Sequence, residues 1–188
     1  MSLREIIKVP NPFLKVTAKP VTVIDEDILT ILDDMMETMY HANGIGLAAT
    51  QIAIDKRLIV MDCGKTKYET QNISEEEYNE KIKDEQIEPF PIKMINPEII
   101  SLGKNLEERD EGCLSIPGYN AKIKRPSSLK VKYTDENKKD NIIDAEGLLA
   151  TCIQHEIDHL NGILFIDHLS KLKREIILKK AIKEYSKN

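Results

Sequence analysis

The sequence predicts one compact domain in which a few helices pack with short strands. Three observations carry that expectation. The length of 188 residues suits a single core, so residues 1–188 are read as one domain. Three segments repeat apolar residues at helical spacing. Short alternating or β-branched runs lie between the first and second of them.

The first helix is predicted over 26–42, where Ile28, Leu29, Leu32, Met35, Met36 and Met39 recur at helical spacing. Asp25 supplies an N-cap and Asn43-Gly44 a stop. The methionine stripe could form an adaptable binding surface, but such periodicity ordinarily marks a buried face. Residues 57–62, Arg-Leu-Ile-Val-Met-Asp, read as a strand. Residues 64–90 are rich in Glu, Lys, Asn and Gln and read as a surface excursion. Further strands are expected around Ile92–Ile95 and Leu129–Tyr133. A second helix is predicted over 145–161, with Leu148, Leu149, Cys152, Ile153 and Leu160 on its apolar side and Gly162 at its stop. Ser170 opens a last helix over roughly 170–186.

Composition narrows the class. Hydrophobic residues make up 41% and charged residues 31%, as in ordinary soluble proteins. A net charge of -5 argues against a surface built wholly for nucleic acid, and no DNA partner is expected. Cys63, Cys113 and Cys152 are odd in number and form no CxxC pair. That argues against a disulfide framework and for a reducing compartment. The amino terminus lacks the apolar run of a signal peptide, and no stretch suits a bilayer. A cytoplasmic location without membrane contact is expected.

The strongest chemical signal is His155-Glu156-Ile157-Asp158-His159. Histidines at i and i+4 share one helix face, so both imidazoles can reach one ion. Such an ion acidifies a water, and the neighbouring Glu156 can take its proton. The bland alternative is a solvated helix face. A catalytic centre needs a third protein ligand and an open position. A third histidine six residues after the second would do, but Phe165 stands there. Glu175 on the following helix is one remaining candidate, and Cys113 in Glu111-Gly112-Cys113-Leu114-Ser115-Ile116-Pro117 is the other. Free cysteine is more often a small buried hydrophobe, the reading that suits Cys63 and Cys152. The segment from Gly44 to Gln51 reads as a helix stop and tight turn; it lacks the lysine of a phosphate loop.

Three segments then carry a resemblance: Gly44-Ile45-Gly46-Leu47-Ala48-Ala49-Thr50-Gln51, Glu111-Gly112-Cys113-Leu114-Ser115 and Gln154-His155-Glu156-Ile157-Asp158-His159-Leu160. Together, and in this order, they resemble the bacterial peptide deformylases, with similarity extending from the first helix through Leu169. The resemblance implies an α+β fold, with antiparallel β-sheets packed around a central metal-binding helix and a C-terminal helix beyond. It implies that Cys113, His155 and His159 bind one divalent metal. Glu156 would act as general base and acid, and Gln51 with the Leu114 N–H would hold an oxyanion. Ile45 and Gly46 would pair with a peptide main chain. Gly112, Leu148, Thr151 and Cys152 would line the pocket for a terminal methionine.

The implied reaction hydrolyses the formyl amide of N-formylmethionyl peptides and nascent chains, releasing formate. Ferrous iron is the implied ion in the cell, with zinc, nickel or cobalt able to substitute. The sequence departs from the family's pattern in the longer 64–90 segment and at Asn120, where several members carry arginine beside the pocket. Two other classes compete. One is a peptidase using Glu175 as third ligand. The other is a non-enzymatic metal protein with a closed site, for which no fourth ligand stands out: His41 and His168 are isolated. The last helix carries Lys171, Lys173, Arg174, Lys179, Lys180, Lys183 and Lys187 against Glu175 and Glu184, while Leu172, Ile176, Ile177, Leu178, Ala181 and Ile182 are available to pack on the body. A docked helix with a solvated basic face is the plain reading. A weak contact with ribosomal RNA is the functional one.

Overall fold

The computed structural model describes residues 2–64 and 88–185; most of the 64–90 excursion lies outside the described residues. After a short 3-10 turn at Pro12–Lys15 comes helix α1, Glu26–His41. The Asp25 carboxylate accepts from the Ile28 N–H at 3.0 Å, capping α1 as expected. The stop is also as expected. Asn43 takes a left-handed conformation (φ 53), its N–H reaching the Tyr40 carbonyl while the Gly44 N–H reaches Met39. Leu32, Met35 and Met39 are fully buried, so the methionine stripe is core.

Five strands form one antiparallel sheet: β1 (Gly46–Ala48), β2 (Leu58–Asp62), β3 (Pro91–Leu102), β6 (Ser128–Thr134) and β7 (Asp140–Glu146), in the order β1-β2-β3-β6-β7. Strands β4 (Leu106–Gly112) and β5 (Asn120–Pro126) form a separate hairpin. Three strand expectations are met: β2 begins one residue later than expected, and β3 and β6 extend beyond the expected runs. Strand β3 runs well past Ile95, through a break at Asn96 (φ 53) and two register shifts that hide its second half from any alternating pattern. The hairpin was invisible as hydrophobic alternation because it is charged. Its register instead sets Glu108 opposite Lys124 and Asp110 opposite Lys122, an arrangement that stabilises an antiparallel pair.

Helix α2 spans Gly147–Leu160, two residues shorter at its start than predicted. Ala145 and Glu146 belong to β7, paired with Leu129 and Ser128, and Gly147 turns the corner at φ 57. The helix is buried from Ala150 through Ile157. Ile153, Ile157 and Leu160 pack on Ile59, Met61, Met94 and Val131 of the sheet. A second cluster joins α1 to Leu58, Val60 and Ile95, and a third joins Leu14, Ile116, Ile123, Phe165 and Ala181. Gly162 ends α2 at φ 72, and a β-carbon there would also strike the Lys15 backbone.

Helix α3 spans Lys171–Tyr185. At about 100° per residue, Ile177, Ala181 and Tyr185 share one face and Leu172 and Ile176 the other. The first face docks, and the Tyr185 hydroxyl donates to the Pro117 carbonyl at 3.0 Å. Leu172 (69% exposed) and Ile176 (44%) do not pack on the body, contrary to expectation, because they lie opposite that face.

Candidate metal centre and its pocket

Helix α2 carries His155, Glu156 and His159 inward, and the turn after β4 carries Cys113 to meet them. One ligand atom from each of Cys113, His155 and His159 lies within 4.8 Å of the others. That spread suits a single ion at about 2.0–2.3 Å from each. Among the described residues this is the one such cluster, and neither Glu175, His41 nor His168 belongs to it. Cys113 Sγ lies 3.1 Å from His159 Nε2. The position that fails as a third histidine puts Phe165 against the His155 ring instead, stacked at 6.2 Å.

A chain of charges behind the cluster fixes His155. Its Nδ1 lies 2.8 Å from Glu111 Oε2, which leaves Nε2 toward the ion site. Glu111 also accepts from Arg125 Nε at 2.6 Å and Nη2 at 3.0 Å. Arg125 continues to Asp158 at 2.8 Å, and Asp158 to His168 at 2.7 Å. Burial would raise the Glu111 pKa, but the bonds from His155 and Arg125 outweigh it and hold it at about 2. Burial also pulls His155 down, yet hydrogen bonds to Cys113 and Glu111 raise its pKa well above the ordinary value. A divalent ion bound here would displace a proton from the ligand set. His159 is driven well below its ordinary value by burial and by the His155 charge, and so offers a neutral ring. Its Nδ1 is buried without a partner. The donor set fits a divalent metal.

Glu156 is 4% exposed, and its Oε2 also lacks a partner. Burial, as the largest effect, lifts its pKa to about 7. A β-carbon on Gly46 would collide with the Glu156 carboxylate and come within 2.8 Å of Cys152 Sγ, so only glycine lets β1 pass this close. Gln51, in a 3-10 turn after β1, is oriented from both ends. Its Oε1 accepts from the Ala48 N–H at 2.8 Å, and its Nε2 donates to Ser115 Oγ at 3.2 Å and faces Cys113 Sγ at 3.5 Å.

These residues surround a cavity of about 440 Å³. Ile45, Gly46, Gln51, Gly112, Cys113, Leu114, Leu148, Thr151, Cys152, His155 and Glu156 all line it, and His159 alone of the predicted set sits behind. Asn120 is on the rim, its Oδ1 at 2.5 Å from where a Gly112 β-carbon would stand. Strand β1 is an edge of the sheet and opens onto this cavity. Sequence reasoning missed the Glu111–Arg125–Asp158 network. Two of its members sat inside quoted motifs, beside Cys113 and between the histidines. Arg125 offered no local signal, because only the hairpin register brings it to Glu111.

The polypeptide deformylase family model matches residues 3–175. A peptide deformylase of Methylocella silvestris is 47% identical over 180 residues, covering 96% of this chain and 84% of that protein. One from Agrobacterium fabrum is 43% identical over 183 residues, covering 97% and 96%. The crystal structure of peptide deformylase from Ehrlichia chaffeensis superposes with a TM-score of 0.85 at 38% identity, covering 99% of this chain and 98% of that one. The same organism's enzyme in complex with actinonin gives 0.83 at 39%, covering 98% of each.

Proposed function

The chain belongs to the polypeptide deformylase family, and from that premise we propose how its own residues perform the reaction. It is a metal-dependent hydrolase that removes the N-formyl group from the N-terminal formylmethionine of newly made proteins and releases formate. The observation that carries the residue assignment is the buried Glu156 carboxylate, one oxygen unpartnered, beside the Cys113–His155–His159 cluster at the cavity wall.

Cys113, His155 and His159 would hold the ion, which would supply Lewis acidity to a water and to the formyl carbonyl. Glu156 takes a proton from the water, and the resulting hydroxide attacks the formyl carbon. The Gln51 amide, held in place by Ala48 and Ser115, donates to the oxygen as it becomes negative, joined by the Leu114 N–H. Glu156 then passes its proton to the departing amine, which leaves as the free methionine N-terminus. The substrate main chain adds to the open edge of β1 at Ile45 and Gly46. Gly112, Leu148, Thr151 and Cys152 border the space for the methionine side chain. Formate release from formyl-Met-Ala-Ser under anaerobic conditions tests the activity, and loss of cleavage on removing the formyl group from the substrate tests its target.

Ferrous iron is our choice of ion in the cell, supported by a mixed thiolate and imidazole donor set that suits first-row metals generally. Zinc, nickel or cobalt should occupy the same site. Metal analysis after anaerobic purification decides. Residues 1–188 act as one catalytic domain, a reading supported by a match that spans 3–175. We place the protein in the cytoplasm, where its substrates are made; no described helix is long and apolar enough to cross a membrane.

We also infer a weak ribosome contact through α3. Lys173, Lys179, Lys180 and Lys183 flank the outward Leu172–Ile176 stripe, whereas Arg174 turns inward to Asp167 at 3.4 Å. Reversing Lys173, Lys180 and Lys183 to glutamate should abolish co-sedimentation with ribosomes at low salt and leave hydrolysis of a free formyl peptide unchanged. Undiminished pelleting would make α3 a structural helix only.

A further inference from the structure

Two cysteines outside the ligand set pack in one core cluster beside the pocket. Cys152, on α2, is 5% exposed and forms part of the cavity wall. Its thiol donates to the Ile45 carbonyl at 3.6 Å. The same carbonyl accepts the Asp62 N–H at 2.9 Å, so the end of β2 abuts Cys152. The next residue is Cys63, half-buried and packed on the same core cluster as Cys152. Interaction with the neighbouring Cys63 is the largest reason the Cys152 pKa is raised well above its ordinary value, ahead of burial. Cys152 borders the methionine space, but neither thiol takes part in the bond-making and bond-breaking steps above, and neither is engaged in a disulfide.

We propose that Cys63 and Cys152 form a reversible peroxide-sensitive disulfide that reshapes the methionine pocket. The assignment of that pocket rests on the deformylase reading; the bond itself does not. Cys63 is the more exposed thiol and reacts first. Its sulfur attacks one peroxide oxygen, the O–O bond breaks, and Cys63 becomes a sulfenic acid as one water leaves. Cys152, protonated and buried, is a resolving thiol. Its sulfur attacks the Cys63 sulfur, the S–O bond breaks, and its proton leaves with the hydroxide as a second water. Two thiols and one peroxide thus give one disulfide and two waters. A cellular dithiol reverses it.

The bond has a structural consequence. Cys152 loses its S–H, and with it the donor to Ile45, the residue at the entry to the substrate-binding edge. The sulfur also shifts toward Cys63 and away from the wall it shares with Gly46. Substrate binding should suffer while the Glu156 machinery remains intact.

Trypsin separates the three cysteines onto peptides 58–65, 110–122 and 140–171, so the bond can be read directly. Nickel-loaded protein is treated with stoichiometric hydrogen peroxide and mapped without reduction. The expected result is a 58–65 peptide linked to 140–171, with KM for formyl-Met-Ala-Ser raised several-fold, kcat little changed, and both effects reversed by dithiothreitol. Cys63→Ser should show normal untreated activity, no linked peptide and no KM response. The proposal is overturned if the two peptides stay unlinked while 110–122 is oxidised, or if Cys63→Ser responds to peroxide as the parent does. A linked peptide in a protein that releases no formate would support the thiol pair and sink the deformylase reading instead.

Discussion

Replacing Glu111 by glutamine should damage both stability and metal retention, although Glu111 touches no substrate. In the native protein its two oxygens accept from Arg125 Nε at 2.6 Å, Arg125 Nη2 at 3.0 Å and His155 Nδ1 at 2.8 Å. Glutamine has one acceptor oxygen and an amide that donates. If the oxygen faces Arg125, the amide faces His155 and favours the tautomer with Nδ1 unprotonated. The proton then moves to Nε2, the atom the metal needs. Loss of such an orienting partner ordinarily costs about 10–100-fold in metal affinity. Arg125 is only 7% exposed at its side chain and would keep Asp158 as its one charged partner. Breaking a buried pair costs about 3–5 kcal/mol. The surviving Asp158 contact places the loss near about 3 kcal/mol, or about 6–12 °C in Tm for a chain of this size. Thermal unfolding of the metal-free protein isolates the first effect, and chelator competition on the loaded protein isolates the second. A mutant with unchanged Tm and unchanged metal affinity would refute the argued role of the network.

Two further outcomes are expected. Cys113→Ser should sharply weaken metal retention, since a hydroxyl is a poor replacement for a thiolate, and the iron-loaded parent should lose activity in air faster than the nickel-loaded one; equal lifetimes would contradict oxidation at Cys113. Asp34 is buried and accepts from the Ser2 N–H and hydroxyl and from Arg4, which lowers its pKa below 3.8, with the Ser2 backbone bond the largest cause. Its folded pKa is depressed, so its contribution is present above the unfolded value and lost as pH falls through the folded one. Asp34→Asn should therefore be about 2 kcal/mol less stable than the parent at neutral pH, with the gap closing below about pH 4 in denaturant titrations. A gap independent of pH would contradict this.

The parts of the fold legible in the sequence were those whose pattern is local. The α1 stripe with Asp25 and Asn43-Gly44, and the i, i+4 histidines of α2, state their structure within a few turns of chain. The β4–β5 hairpin was not legible, because charge pairing across strands leaves no apolar alternation. The end of β7 was mistaken for helix because Ala145 and Glu146 suit either state until Gly147 turns the chain. At the site, the three ligand residues together with Glu156, Gln51, Ile45, Gly46 and Leu114 came from contiguous motifs. The supporting charges did not. Arg125 is 14 residues from Glu111 and 33 from Asp158, and its importance exists only once the fold brings them together.

The most direct test is Glu156→Gln, since the buried, half-unpartnered carboxylate is what turns a metal-binding cluster into a hydrolytic site. Formate release and metal content should be measured on the same purified, metal-loaded preparation. The mutant should retain its metal and its fold and lose at least about a hundredfold in turnover. Near-normal turnover with metal bound would contradict Glu156 as the proton carrier.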